Sequence, residues 1–228
     1  MGYGQGWLAQ AALMLDEMDW AGPLLTNIAQ YTYDKNLDYS DPARAVDWRP
    51  WLWLIPEGTN VLPDGHWYRI GDLSNGANQG IAMHAIETCA GVDDCNPAQI
   101  KILPRVPDPL SGLEVSNYLA MIPSGAQTAL TRISYQYDRQ SSFKLQSTAV
   151  LPSLAVRIGP FAGQSQAQAI ADRTKLLPAA QATTRLESSG TYQGQAAWWV
   201  WIENLKQIST LNIEWNSKTQ AKLSECYE

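Results

Sequence analysis

The part of the sequence best suited to chemistry lies between residues 48 and 79, where tryptophans are interspersed with acidic and basic side chains. Its first candidate is Glu57, a carboxylate placed between Pro56 and Gly58. Aromatic faces beside carboxylates are typical of carbohydrate sites, because the C–H faces of sugars stack on indole rings while carboxylates bind hydroxyls or move protons. The segment therefore predicts a carbohydrate site. The residues predicted to contact the sugar are Trp51, Trp53, His66, Trp67, Arg69 and Asp72.

Each of these residues also has a purely structural interpretation. The tryptophans have the alternating spacing of side chains that fill the base of a helical domain, since large aromatic residues dominate cores as well as sugar sites. A Pro-Glu-Gly turn commonly carries a solvated carboxylate. His66 and Arg69 beside Asp72 form either a substrate clamp or a structural salt bridge, because an arginine fork suits both roles.

Helices and a long loop must position these side chains. Apolar residues recur at helical spacing in residues 5 to 18, and a second helix is predicted to start at Pro23 after a break at residues 20 to 23. Residues 76 to 88 predict a third helix. The intervening segment, residues 34 to 75, is much longer than a normal connection. Its length predicts a functional loop, and its aromatic content argues against disorder.

From Ala98 the pattern changes to short alternating runs between turn signals. Phe143 and Leu145 alternate with Lys144 and Gln146, as in a strand that buries one face. Several short strands at this spacing predict an antiparallel β-sandwich. The predicted fold class is therefore α+β, with a helical domain over residues 1 to 97 and the β-sandwich over residues 98 to 228.

Composition excludes several classes of function. The formal net charge is −6, and lysines and arginines form no cluster, so a nucleic-acid partner is not expected. No apolar run approaches the roughly 20 residues of a spanning helix, and the N-terminus shows no leader pattern, so neither a membrane partner nor targeting is expected. Two histidines and the absence of Cys-x-x-Cys spacing predict no metal site.

Three cysteines leave the redox state open. Cys89 and Cys95 are close enough in sequence to be a candidate disulfide in an oxidising compartment, which would leave Cys226 unpaired. Three reduced thiols are the equal alternative, because sequence spacing alone does not determine pairing. A secreted or periplasmic location would accompany the disulfide, so the location stays open.

Several runs of the sequence resemble a known family. They are GYGQGWLAQAALMLDEMDWAGPLL, IPEG, PDGHWYRIGDLSNGANQGIAMHAIETCAGVDD, IKILPRVPDPLSGLEV, VRIGPF and WWVWIE. Together they resemble the C-terminal part of six-hairpin (α/α)6-barrel glycosidases, the α-L-rhamnosidase-like group in particular. The resemblance implies that residues 1 to 97 form a partial (α/α) barrel segment, followed by a closing β-sandwich. It also implies a glycoside hydrolase that needs no cofactor.

For single residues, the resemblance implies a general base at Glu57, the position of a late-barrel carboxylate. The family's Trp-Glu pair is here Pro56-Glu57, and the Asn-His start of the following helix is here Asn78-Gln79, which makes Asn78 a further predicted substrate contact. Hydrolysis of a glycosidic bond requires two carboxyl groups. The second normally lies in upstream hairpins of such a barrel. The candidates for it within this chain are Asp47, Asp64 and Asp72.

Three functions from different classes follow. The first is a glycoside hydrolase acting on a plant or microbial polysaccharide or oligosaccharide, or the C-terminal part of one. The second is a non-catalytic carbohydrate-binding module, in which Trp198, Trp199 or Trp201 is an exposed platform for sugar; the alternative role of these residues is to cover a neighbouring domain. The third is a scaffold that self-associates because its helices expose the apolar faces that a barrel would cover.

Overall fold

The structure is a computed structural model that describes residues 2–33, 40–41, 46–47, 58–61, 67–70, 76–124, 126–177 and 182–215. The chain divides into two compact units, Met1–Thr88 and Cys89–Glu228. Helices predominate in the described part of the first unit, and strands in that of the second. The predicted domain boundary between residues 97 and 98 stays a prediction.

Three helices precede the large sheet: α1 (Gly2–Met14), α2 (Met18–Tyr33) and α3 (Gly76–Ala90). The break between α1 and α2 contains Asp16, which has a left-handed backbone conformation with φ 59°. The break therefore lies earlier than predicted, and Pro23 lies inside α2 rather than at its start. α3 covers the predicted residues 76 to 88 and is followed by Gly91, whose φ of 64° suits the end of a helix. None of the described helices is long and apolar enough to span a membrane.

Part of the segment predicted as a long loop is strand instead. β1 (Ser40–Asp41) pairs antiparallel with β2 (Val46–Asp47), and β3 (Gly58–Val61) pairs antiparallel with β4 (Trp67–Ile70). The loop prediction is wrong for these residues. The sequence does carry a hairpin signal, because β-branched and aromatic residues flank a Pro-Asp-Gly run, but the many polar residues obscured it.

The second unit contains an eight-stranded sheet. Its strands are β5 (Val92–Asp93), β6 (Ile100–Ile102), β7 (Gly112–Ser124), β8 (Gln127–Asp138), β9 (Ser142–Ala162), β10 (Lys175–Leu177), β11 (Thr183–Tyr192) and β12 (Gln195–Glu214). One helix, α4 (Gln164–Arg173), connects β9 to β10. The strands β6, β7 and β8 lie where the alternating pattern predicts them, whereas the polar strand β11 was not predicted.

Two of these strands are long and bent. β9 and β12 pair antiparallel from Ala162 opposite Ala197 to Ser142 opposite Glu214, with three register shifts on the way. Asn204 of β12 lies within one shift and has a φ of 61°, and bulges of this kind bend a strand. The sequence predicts one short strand before each bend and another after it. In the structure the two are parts of one continuous strand.

The bends divide the sheet into two halves that share β9 and β12. The first half has the order β7-β8-β9-β12-β10, and the second half has the order β5-β6-β9-β12-β11. β6 runs parallel to β9, although the other pairs of this sheet are antiparallel. The predicted sandwich of separate antiparallel sheets is therefore wrong, because one curled sheet forms this unit.

One hydrophobic core joins both halves of the sheet. Tyr135 and Phe143 of the first half stack with their ring centroids 5.4 Å apart, and they belong to the same buried cluster as Val156 and Ile202 of the second half. α4 contributes the fully buried Ala167 to this cluster. β8 turns one face toward this core, which explains the alternation of buried and exposed residues along it.

The predicted fold class is wrong in its helical part as well. The described residues are mostly β and contain four helices, without a helical segment of an (α/α) barrel. Such a barrel needs hairpins of long helices in succession, whereas hairpins of strands lie between α2 and α3 here. Helical periodicity correctly predicted single helices, but it carries no information about how many helices pack side by side.

Candidate functional site

A polar groove lies on the outer face of the first half of the sheet. Alternation in β9 turns Phe143 and Leu145 into the core, so Lys144 and Gln146 point to the opposite, solvent-facing side. β8 and β12 repeat the pattern. The groove has a volume of about 610 Å³. Its polar lining consists of Glu114, Ser116, Ser134, Gln136, Lys144, Gln146, Thr210 and Asn212.

Strand register arranges these side chains in two rows across neighbouring strands. Gln136 of β8 lies opposite Glu114 of β7 on one side and opposite Lys144 of β9 on the other, and Asn212 of β12 completes the row. Three spacings between strands of about 4.8 Å make this row about 14 Å long. The groove is therefore wide enough for a ligand of several linked units.

The second row is parallel to the first and lies two residues away from it on β8, β9 and β12. Gln146 of β9 stands between Ser134 of β8 and Thr210 of β12. Ser116 stands beside this row at the bulge of β7, between Val115 and Tyr118. Two short hydroxyl side chains thus flank a longer amide side chain. The hydrogen-bond donors and acceptors of this row therefore lie at different heights above the sheet.

The floor of the groove consists of residues whose side chains belong to the core. Tyr135, Leu145 and Leu211 line it although each is at most 3% exposed. Burial raises the pKa of Tyr135 well above its ordinary value of 10.0, with smaller contributions in the same direction from Cys89 and Tyr137. Tyr135 therefore remains a neutral phenol, and its hydroxyl donates a hydrogen bond to the carbonyl oxygen of Ala90.

Some of the groove's polar atoms already have partners. The Ser116 hydroxyl donates to Glu114 Oε1 at 3.4 Å, the Asn117 backbone N–H donates to Ser134 Oγ at 2.9 Å, and Asn212 Nδ2 donates to Glu214 Oε1 at 3.0 Å. Other polar side chains of the groove have no partner within the described part of the chain. The side chains of Gln136, Lys144, Gln146 and Thr210 make no hydrogen bond to another described residue.

The outer face of the second half carries a different cluster, here named the aromatic ladder. Arg157 lies over the ring of Trp199 at 4.0 Å, and Arg185 lies over the ring of Trp201 at 4.7 Å. Trp201 Nε1 donates a hydrogen bond to Glu187 Oε2 at 2.5 Å. The ladder consists of Arg157, Arg185, Glu187, Trp199, Trp201 and Glu203.

The tryptophans that were candidates for an exposed sugar platform are packed against other side chains. Trp199 is fully buried, and Gly159 packs against its ring so closely that an added Cβ would lie 2.8 Å from Trp199 Cε3. Trp201 is half-buried beneath Arg185, and Trp198 packs against the core. Guanidinium groups and tryptophan rings attract each other by cation–π interaction. These indole faces therefore have a structural role in the second unit.

Most residues of the predicted sugar site lie outside the described residues. These are Glu57, Trp51, Trp53, His66 and Asp72, and of the candidates for a second carboxyl group also Asp64. Their predicted roles stay predictions.

Three predicted contacts lie on described backbone. Trp67 and Arg69 belong to β4, where they pair with Val61 and Thr59 of β3. Asn78 belongs to α3. The hairpin thus brings two of the predicted residues together on one strand. Asp47, a candidate second carboxyl group, lies on β2 opposite Ser40.

The two candidate disulfide cysteines are free thiols. Cys89 lies near the end of α3, where burial raises the pKa of its thiol to about 12 although Arg105 acts in the opposite direction. Cys95 is exposed, and its hydrogen bond to Asp93 is the first cause of a raised pKa. Both thiols are therefore weak nucleophiles. No group of three metal-binding side chains occurs among the residues that the structure describes.

No protein-family model, curated protein or solved structure matches the chain. The resemblance to six-hairpin glycosidases therefore stays a prediction, and the functional argument rests on the geometry of the described residues.

The groove is a site that the sequence-based interpretation missed. The alternation of Lys144 and Gln146 with core residues was visible, and so was the polar character of β8. The missing information was the order of the strands, because β12 is separated from β9 by α4, β10 and β11 in sequence. A search for alternating polar residues rich in glutamine and asparagine would have identified the side chains but not their rows.

Proposed function

We propose that the second unit binds a neutral, polyhydroxylated ligand of the carbohydrate class in the polar groove. The main support is a set of side chains on neighbouring strands that bond to no other residue in the described part of the chain: Gln136, Gln146, Lys144 and Thr210. An amide both donates and accepts hydrogen bonds, and so does a sugar hydroxyl. Rows of such groups can therefore satisfy several hydroxyls of one ligand at the same time.

The shape and charge of the groove favour an uncharged chain. A groove that crosses four strands accommodates an extended ligand better than a compact one. Lys144 is the one cation and Glu114 the one carboxylate among the described residues that line it, so the lining has no net charge. A polyanion would require the cluster of basic residues that the sequence lacks.

The lining favours binding without cleavage. Hydrolysis of a glycosidic bond requires two carboxyl groups that flank the bond. Glu114 fills at most one of these positions within the groove. Hydrolysis through Glu57 remains a separate prediction about another part of the chain.

The groove also limits the affinity. Tyr135 is the one aromatic residue among its described lining residues, and at 1% exposure its ring is not available for stacking. Hydrogen bonds that replace water contribute about 0.5–1.5 kcal/mol each. We therefore expect a dissociation constant of about 1 mM, which corresponds to roughly −4 kcal/mol.

Isothermal titration of the purified chain with cellohexaose, xylohexaose and mannohexaose tests the proposal. We expect at least one of these to bind, and the double variant Gln136→Ala/Gln146→Ala to weaken the binding about 10-fold through the loss of two hydrogen-bonding groups. Gln127→Ala is the matched control, because Gln127 is exposed and lies on β8 outside the groove.

Two results would contradict the proposal. One is the absence of binding to all three sugars, and the other is binding that the double variant leaves unchanged. The aryl glycoside assay with Glu57→Gln is a separate experiment. Activity that this variant abolishes would support hydrolysis at Glu57, and it would leave the assignment of the groove to the titration.

A further inference from the structure

One face of α1 is apolar and exposed. Trp7, Leu8 and Met14 are 57%, 60% and 63% exposed, and Leu15 is 67% exposed. The Leu15 N–H bonds to the carbonyl oxygen of Ala11 at 3.0 Å, so the helical path continues through Leu15. At 100° per residue these side chains and the exposed Ala11 cover an arc of about 120°. This surface is named the α1 face.

The opposite side of the same helix is already packed. Ala9 and Leu13 are fully buried, and a Cβ added at Gly6 would lie 2.6 Å from Ile81 Cγ2 of α3. α1 is therefore apolar on both sides. A helix of this kind is normally buried all round. The α1 face thus exposes large side chains on a helix whose composition suits an interior position.

We propose that the α1 face is the interface of a homodimer in which α1 packs antiparallel against α1 of a second copy. The large side chains are spaced symmetrically about Ala11, at four and three residues before it and at three and four residues after it. A two-fold axis at Ala11 would therefore place Trp7 of one copy against Leu15 of the other, and Leu8 against Met14. The small Ala11 allows the two helices to approach closely where they cross.

Charge supports a second copy as the occupant. α1 contains no acidic or basic residue in its first or last turn, and its sequence GYGQGWLAQAALM contains none in between. Two copies of this face can meet without repulsion between like charges or burial of an unpaired charge. An anionic membrane surface would require lysines or arginines beside the apolar face. The net charge of −6 makes that partner unfavourable.

A stable dimer would need more surface than the α1 face alone. A standard interface buries about 800 Å² on each partner. The α1 face alone, at the width of one short helix, provides less than this. The same unit exposes Trp20, Met83 and Ile86 at 70%, 55% and 57%, so it offers further apolar surface.

Sedimentation velocity over a concentration series tests the dimer. We expect the wild-type chain to be dimeric at micromolar concentrations, and the variant Leu8→Glu/Leu15→Glu to weaken dimerisation at least about 100-fold, because it buries unpaired charges. Leu130→Glu is the matched control, since Leu130 is 66% exposed on β8 in the other unit. Circular dichroism should show equal helix content in all three. A monomeric wild type, or a dimer that survives the double substitution, would overturn the proposal.

Crosslinking tests the two-fold axis itself. In a background with Cys95→Ser and Cys226→Ser, the variant Ala11→Cys should form a disulfide-linked dimer upon oxidation with copper phenanthroline, because the two copies of residue 11 face each other at the axis. Thr26→Cys on the exposed surface of α2 should not. Equal crosslinking of both variants, or none at residue 11, would contradict the antiparallel arrangement.

Discussion

One buried hydroxyl group, that of Tyr137 in β8, bonds to the backbone of Gly159 in β9. Tyr137 is 2% exposed, and its hydroxyl donates to the carbonyl oxygen of Gly159 at 2.7 Å and accepts from the Gly159 backbone N–H at 2.9 Å. Burial raises the pKa of Tyr137 above its ordinary value of 10.0, so the phenol remains protonated. One side chain thus satisfies two backbone groups of β9.

We expect Tyr137→Phe to lower the free energy of unfolding by about 2–4 kcal/mol, because it leaves both groups of Gly159 buried and unpaired. Tyr135→Phe is the control for the loss of a single hydrogen bond from a buried tyrosine. It removes one hydrogen bond, to the carbonyl oxygen of Ala90, and should cost about half as much. Urea unfolding of the three proteins measures the difference. Equal stability of wild type and Tyr137→Phe would show that the hydroxyl has no such role.

Asp108 connects three separate parts of the second unit. Its Oδ1 accepts hydrogen bonds from Arg139 Nη2 at 2.6 Å and from the Tyr192 hydroxyl at 3.0 Å, and its Oδ2 accepts from Gln193 Nε2 at 3.3 Å. Partial burial alone would raise the pKa of Asp108. The hydrogen bonds from Gln193, Arg139 and Tyr192, with the charge of Arg139, outweigh it and lower the pKa below 3.8.

This shift predicts a pH dependence of stability. A carboxyl group with a lowered pKa in the folded state stabilises the protein above its ordinary pKa of 3.8, and the contribution disappears as the pH falls through the lowered value. We expect Asp108→Asn to cost about 0.5–1 kcal/mol at neutral pH, because the Asp108 side chain is 49% exposed and solvent screens its charged hydrogen bonds. The gap between the melting temperatures of wild type and variant should narrow below pH 3.8. A gap that widens in acid would contradict this assignment.

The groove shows what residue types can and cannot predict. Alternation in β9 correctly predicts that Lys144 and Gln146 face solvent, because core residues must face the other way. It does not predict that Gln136 and Asn212 stand beside them. The sugar-site prediction relied on tryptophans. In the described part of the second unit, Trp199 and Trp201 pack against arginines instead.

At the scale of elements, two glycines with positive φ lie in or beside the long strands β9 and β12. Gly159 of β9 has a φ of 142°, and an added Cβ would lie 2.8 Å from Trp199 Cε3 and 3.0 Å from the Trp198 carbonyl oxygen. Gly194, in the turn between β11 and β12, has a φ of 73° but no atom within 4 Å of an added Cβ. A side chain at residue 194 would therefore meet only backbone strain, whereas one at residue 159 would meet backbone strain and steric overlap.

We expect Gly194→Ala to cost about 1–2 kcal/mol, the price of a left-handed conformation for a residue with a Cβ. Gly159→Ala should cost more than this, because the buried Trp199 ring and a backbone oxygen must also move. Thermal unfolding of both variants beside the wild type measures the two costs. A smaller loss for Gly159→Ala than for Gly194→Ala would contradict the close packing of Trp199 on β9.

Bends explain why the strands were predicted as shorter pieces. Pro152 interrupts the alternation of β9, and Asn204 interrupts that of β12, so each strand appears as two runs in the sequence. In the structure Asn204 lies where the pairing of β12 with β9 shifts, whereas Pro152 lies between two pairs of the same register, Ser153 with Lys206 and Leu151 with Ile208. Beyond each of these residues the strand continues with its opposite face toward the core. Local pattern thus identifies strand residues, but it does not distinguish a bend from a turn.

At the scale of the whole molecule, the sequence predicts a helical part followed by a β-rich part. Both follow from local periodicity, which short-range sterics determine. The barrel and the sandwich were wrong because they concern which elements pack together. The parallel pair of β6 and β9 shows this best, since it joins residues 100 to 102 with residues 154 to 156. No local pattern encodes a contact of that separation.

The two proposals concern different units of the chain. The first unit exposes the α1 face, for which we propose dimerisation, and the second unit carries the groove, for which we propose sugar binding. Neither proposal depends on the other, because Leu8→Glu/Leu15→Glu changes residues outside the second unit. A variant that loses dimerisation should therefore bind sugar as the wild-type chain does.

The most direct test of sugar binding in the groove is an NMR titration of the ¹⁵N-labelled chain with the hexasaccharide that binds best. We expect the largest shifts of backbone amide signals at Gln136, Lys144, Gln146 and Asn212, because these residues form the rows of the groove. Shifts that cluster instead at Trp67, Arg69 and Asn78 would transfer the sugar site to the first unit. That result would contradict the groove as the binding site.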